Sequence, residues 1–215
     1  MRKLTLLPLL LISCIGYAQF QRNDKLLTGY IDLSTNKTSS VTSAASNSNF
    51  GTGFSISASK FISDRKFNSL TLTFNHNTTK QNPASNIENK QIRNSVGLGF
   101  GHTILTPLAQ RVYLSFPFTF GTVFSRFDSK NNNQTTNKAN NFSVGASVTI
   151  GIVYLTKKKW VFSANMGSLA GIRFDHGKTS SSAGNETKSN AFNVYGGALG
   201  TAFNNMSIGI GYLIK

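Results

Sequence analysis

From Leu27 onward the chain alternates between apolar and small or polar side chains. Leu27, Gly29, Ile31 and Leu33 interleave with Thr28, Tyr30 and Asp32, and Phe50, Thr52, Phe54, Ile56 and Ala58 with Gly51, Gly53, Ser55 and Ser57. Leu70, Leu72 and Phe74 alternate with Thr71 and Thr73; Val96, Leu98 and Phe100 with Gly97, Gly99 and Gly101. Further segments run from Val112 to Phe120, Phe142 to Ile152, Trp160 to Gly167, and Phe192 to Ile214. Successive strand residues point to opposite faces, so this period of two predicts eight strands, each with one apolar face and one face of Gly, Ser and Thr.

Parity bears on the last segment, because Asn204-Asn205 could form a two-residue turn. Such a turn would move the apolar face from even to odd positions. Phe192, Val194, Ala198 and Ala202 are even, and so are Ile208, Ile210, Tyr212 and Ile214. The expectation is one long strand, with a three-residue loop as the alternative.

The connections alternate as well. Residues 36–49, 78–91, 127–141 and 175–190 read as long polar loops, while 61–66, 104–111 and 155–159 read as short links. A secreted β-sandwich would carry Lys and Glu on its outward face, whereas here the charges fall in the connections. Hydrocarbon offers no hydrogen-bond partner, so strands crossing it must close without an edge. The pattern therefore predicts an all-β chain: an eight-stranded antiparallel up-and-down transmembrane β-barrel over residues 19–215. Tyr154 and Trp160, with Phe61 and Phe67, flank short turns where aromatic girdles are expected.

Composition agrees with a membrane protein. Charged residues make up 13% of the 215-residue chain, against about 25% in soluble domains. The formal charge is +15, from 22 Lys+Arg and 7 Asp+Glu. The single cysteine, Cys14, leaves no pair for a disulfide and no thiolate cluster for a metal. Residues 1–18 read as a signal peptide: Arg2 and Lys3, then the apolar run Leu4 to Ile15, then Gly16-Tyr17-Ala18 ahead of Gln19. A lipidated Cys14 after Leu11-Ile12-Ser13 is the rival reading.

These features resemble the small outer-membrane β-barrel proteins of Gram-negative bacteria, similar in plan to OmpX and the OmpA barrel. The motif-like part is C-terminal, where Ser207, Gly209, Tyr212 and Ile214 match the last-strand signal read by the barrel-assembly machinery; Lys215 departs from it. The resemblance implies a location in the bacterial outer membrane, and outer-membrane lipid, lipopolysaccharide and the assembly machinery as partners of a monomer.

Candidate chemistry is sparse. Arg173-Phe174-Asp175-His176 is the one titratable cluster, read as a solvated loop base ahead of an acid–base pair. Gly97, Gly99 and Gly101 precede no helix, so they read as barrel packing and not as a phosphate loop. Lys157-Lys158-Lys159 is too short a footprint for nucleic acid. On lumen parity, Asp32, Arg93 and Arg173 form a candidate charge cluster. No catalytic residue, metal or cofactor is expected. The anticipated role is structural or surface-interacting and non-enzymatic, with a narrow passive channel or hydrophobic-ligand transporter as the alternative and a lipid-modifying enzyme behind it.

Overall fold

The computed structural model describes residues 20–39, 46–82, 89–131, 134–182, 184–196 and 206–215; the expected signal peptide, Gln19 and Asn204-Asn205 lie outside them. The alternating segments become eleven strands of one antiparallel sheet, with no helix among the described residues. They are β1 (Lys25–Ser39), β2 (Ser46–Ser63), β3 (Lys66–Asn82), β4 (Asn89–Ala109), β5 (Val112–Asn131), β6 (Gln134–Val148), β7 (Gly151–Leu155), β8 (Trp160–Asn165), β9 (Ala170–Ser181), β10 (Glu186–Gly196) and β11 (Met206–Ile214).

The count is eleven and not the expected eight because three alternating segments are interrupted. β6 and β7 keep one register along β5, through Phe118↔Val148 and Ser115↔Gly151, and the Thr149 amide between them donates to the Pro117 carbonyl at 2.9 Å. Against that two-residue break the opposite chain spends four residues, 166–169. They are held by Met166 N–H to the Ile150 carbonyl and Leu169 N–H to the Val148 carbonyl, both 2.8 Å. This extra length separates β8 from β9, as a bulge does. The last segment divides into β10, paired with β9, and β11, paired with β8 and β1.

Consecutive hairpins link β1 through β5, and the pairings then pass from β5 to β7, β8, β11 and back to β1. The circuit therefore returns to its first strand. β6, β9 and β10 extend it away from the short turns.

The supposed long loops are largely strand. β1 and β2 pair out to Ser39↔Ser46, β3 and β4 to Gln81↔Asn89, and β5 and β6 to Asn131↔Gln134. Asn, Ser and Thr there satisfy a ladder as well as valine does, because the pairing uses backbone groups that every residue carries. Low hydrophobicity marked where the apolar face ends, not where the strand ends.

The faces are inverted relative to a water-soluble protein. Leu98 and Phe120 are 53% and 57% exposed, whereas Ser115 and Ser125 are 1% and 0% exposed. The exposed apolar set recurs on every strand from Leu27, Phe54 and Leu72 to Phe162 and Ile210. A continuous outward belt of this kind marks contact with an apolar phase.

Candidate lumen site

The inward face changes character along its length. At the end bearing the short turns it is apolar: Leu26, Phe61, Leu105, Tyr113, Val153, Leu155, Val161 and Leu213 form one buried cluster around Phe20. Phe20 stacks on Phe61 at 4.6 Å between ring centroids and tilts against Tyr113 at 5.2 Å, and Phe61 meets Phe67 at 5.0 Å. The chain ahead of β1 is bent inward to make this layer. Asp24 accepts the Gln21 amide at 2.9 Å, while the backbone continues the β1–β2 ladder, Asn23 N–H donating to the Phe61 carbonyl and Phe61 N–H to the Asp24 carbonyl.

This corrects the girdle expectation for two residues. Phe61 is fully buried and Phe67 packs beside it, so both belong to the inner layer. Tyr154 and Trp160 do face outward, at 43% and 46% exposure. Trp160 meets Tyr212 edge-on at 5.4 Å.

Beyond the apolar layer lies a polar cavity of about 250 Å³, lined by Tyr30, Ser55, Thr71, Ser115, Ser163 and Asn165 among others. The Ser115 hydroxyl is buried without a partner among the described residues. The wall is small because bulk enters from one side. A Cβ at Gly209 would sit 2.5 Å from the Tyr30 ring, and one at Gly211 2.7 Å from Thr28 Oγ1.

Of the sequence-predicted charges, Arg173 donates to Asp175 Oδ1 and to Ser143 Oγ, each at 2.7 Å. Asn193 Nδ2 donates to the other Asp175 oxygen at 3.2 Å. Arg93 donates to Ser125 Oγ at 3.1 Å and lies 4.8 Å from the Phe127 ring centroid, within cation–π reach. Asp32 sits apart from them, lining both the polar cavity and an adjoining 320 Å³ one with Gly51, Gly53, Asn75 and Ser207. The acid beside Arg173 is thus its neighbour two residues on, a relation that strand parity could have supplied.

The same parity separates Asp175 from His176: Asp175 joins Arg173, while His176 places Nδ1 2.7 Å from Asn190 Oδ1 on the opposite face. His76 and Asn94, and His102 and Asn68, form like pairs at 2.7 and 2.8 Å. Each histidine faces its asparagine directly across a strand pair. Sequence reading missed these pairs because the partners are 14 to 34 residues apart. Among the described residues, no three His, Cys, Asp or Glu side chains gather as a metal site. The C-terminal motif divides between faces, with Ser207 and Gly209 inward and Tyr212 and Ile214 outward.

No protein-family model matches the chain, and no curated protein does. Solved structures do. A major outer membrane protein from Thermus thermophilus superposes with a TM-score of 0.51 at 9% identity, covering 89% of this chain and 99% of that one. The translocator domain of the autotransporter NalP from Neisseria meningitidis gives a TM-score of 0.41 at 11% identity, covering 98% and 95%. The first likeness shows that this chain has the fold of an outer membrane protein.

Proposed function

We propose that the chain is an outer-membrane β-barrel whose transmembrane part is the closed circuit of eight strands, and that its role is structural or surface-interacting, without enzymatic activity. It enters the membrane after export by residues 1–18, through the barrel-assembly machinery reading Ser207, Gly209, Tyr212 and Ile214, and works as a monomer among outer-membrane lipid and lipopolysaccharide. The carrying observation is the apolar layer around Phe20, which fills the ring at its short-turn end. A passage for solutes would have to cross that layer, so it favours the structural reading over the channel. The separation of Asp175 from His176 supports the non-enzymatic part of the reading.

Planar-bilayer recording of the refolded protein tests this. Wild type is expected to give no conductance steps. Steady steps from the wild-type protein would replace the structural reading with the channel. Recovery of the protein from the soluble periplasm would remove the barrel itself.

A further inference from the structure

Two cavities meet inside the ring at Asp32. The lower, about 250 Å³, rests on Val153 of the apolar layer and on Phe67, which packs against that layer. The upper, about 320 Å³, lies toward the long-strand end, where Ser34, Gly51 and Asn77 line it. Four residues line both: Asp32 and Ser207 from β1 and β11, and Thr149 and Met166 from the break that parts β6 from β7 and β8 from β9. The sheet is therefore irregular at the level where the cavities join. Ladder irregularities of this kind re-aim side chains beside functional sites.

Asp32 brings a carboxylate to membrane depth, because its chain neighbours Ile31 and Leu33 are 59% and 63% exposed on the outward belt. An ionisable group held there is costly and marks the seat of a polar or charged partner. Ser207 faces it directly across β11 and offers a hydroxyl, but no cation pairs with it among the described residues. Arg173 lines a third cavity that meets the lower one at Thr71, Thr73 and Thr119, yet its guanidinium is held by Asp175 and Ser143. Arg93 is held by Ser125 and lies over Phe127. His76 also borders the upper cavity, but its ring is bonded to Asn94 and Thr78 on the outward face. A carboxylate accepts about four hydrogen bonds, so most of the capacity of Asp32 is unspent.

A second acceptor reaches the same point. Gly53 lies between Asp32 and Asn75 in a cross-strand row, and a Cβ there would sit 3.1 Å from Asp32 Oδ2 and directly against Asn75 Oδ1. The space left by the missing side chain is bordered by two oxygens, which suits a donor that carries positive charge. Below it the wall supplies hydroxyls, among them that of Ser115, which is buried without a partner. Both cavities are near or below the small end of the about 300–1,000 Å³ range of ligand pockets, so the partner is a small molecule.

We propose that this cup binds a small organic amine that carries further hydroxyl or amino groups. Its ammonium sits between Asp32 and Asn75, and its polar body occupies the hydroxyl-lined cavity below. The apolar layer closes the floor, so the ligand enters from the long-strand end. This rests on the membrane-barrel reading above and goes beyond it by giving the blocked lumen an occupant.

The test uses the full mature chain, refolded into phosphatidylcholine vesicles and then taken into uncharged micelles, with titration calorimetry as the readout. Glucosamine and putrescine are the probes, and glucose is the control that carries a hydroxyl in place of the ammonium. Wild type is expected to bind glucosamine at least tenfold more tightly than glucose. D32N should lose at least tenfold for glucosamine, and N75L at least threefold. Binding of neither amine overturns the proposal. So does equal binding of glucose and glucosamine, which would make the cup a neutral polyol site. Displacement of glucosamine by calcium chloride, but not by sodium chloride of the same ionic strength, would make it a metal-cation site and overturns it too. If D32N does not refold, N75L carries the test, and no loss in that variant overturns the proposal. Folding into vesicles is scored separately by circular dichroism and protease protection. Failure of wild type there speaks against the barrel, whereas normal folding without amine binding speaks against this site alone.

Discussion

Phe20, five residues ahead of the first strand, stacks face to face on Phe61 near the end of the second, with 4.6 Å between ring centroids and 11° between planes. A residue outside the sheet thus completes the layer that fills one end of it. Removing a fully buried phenylalanine from such a layer costs about 3–5 kcal/mol. Phe20→Ala should lose that much in reversible urea unfolding from vesicles, and Phe20→Ala with Phe61→Ala should make liposomes leak small solutes. A variant as stable as wild type would mean that the N-terminal segment does not seat in the ring.

Gly209 is where Tyr30 needs space. A methyl there meets the Tyr30 ring at 2.5 Å, so Gly209→Ala should destabilise by about 1–3 kcal/mol in the same assay. In a Tyr30→Ala/Ser163→Ala background, which also removes the Ser163 hydroxyl that the methyl meets, the penalty should largely disappear. An undiminished penalty would attribute the glycine to assembly recognition instead of packing.

The belt predicts an effect that a water-soluble sheet would not show. Leu98 is 53% exposed, and at an exposed site in water a substitution usually stays within about 0.5 kcal/mol. Facing hydrocarbon, Leu98→Arg should instead cost about 2–4 kcal/mol. A neutral result on unfolding from vesicles would place that face in water.

Orientation follows from the two unequal ends. Ser181→Cys, at the tip joining β9 to β10, should label with an impermeant thiol reagent on intact cells, and Lys158→Cys, in the turn between β7 and β8, should not. The reverse pattern inverts the topology.

At that same tip Glu186 is held below the usual glutamate range, first by its hydrogen bond from Lys178 and then by that lysine's charge. A depressed carboxyl supports the folded tip above its unfolded pKa, and that support is lost as pH falls through the lowered value. The Glu186 side-chain carbon should therefore show a midpoint below the ordinary glutamate value in an NMR titration, and Lys178→Gln should return that midpoint toward it.

The sequence by itself determined the class of fold and the assignment of faces. Alternation is local, and Phe118 and Phe120 declare the outward face of their strand whichever strands lie beside it, because adjacent side chains must point apart. Strand ends were not legible in the same way. Asn77, Thr78 and Thr79 pair through backbone groups that composition does not report, so the ladders run past the point where hydrophobicity stops. Only the tertiary structure decided the rest. It set four residues against two at the break between β8 and β9, turned Phe61 inward onto Phe20, and gave Arg173 its partner in Asp175 while leaving Asp32 in another cavity. It also brought Asp32 and Asn75 together over Gly53. Those relations depend on register between segments distant in the chain. Register is set by the closing of the whole sheet, which no local pattern encodes.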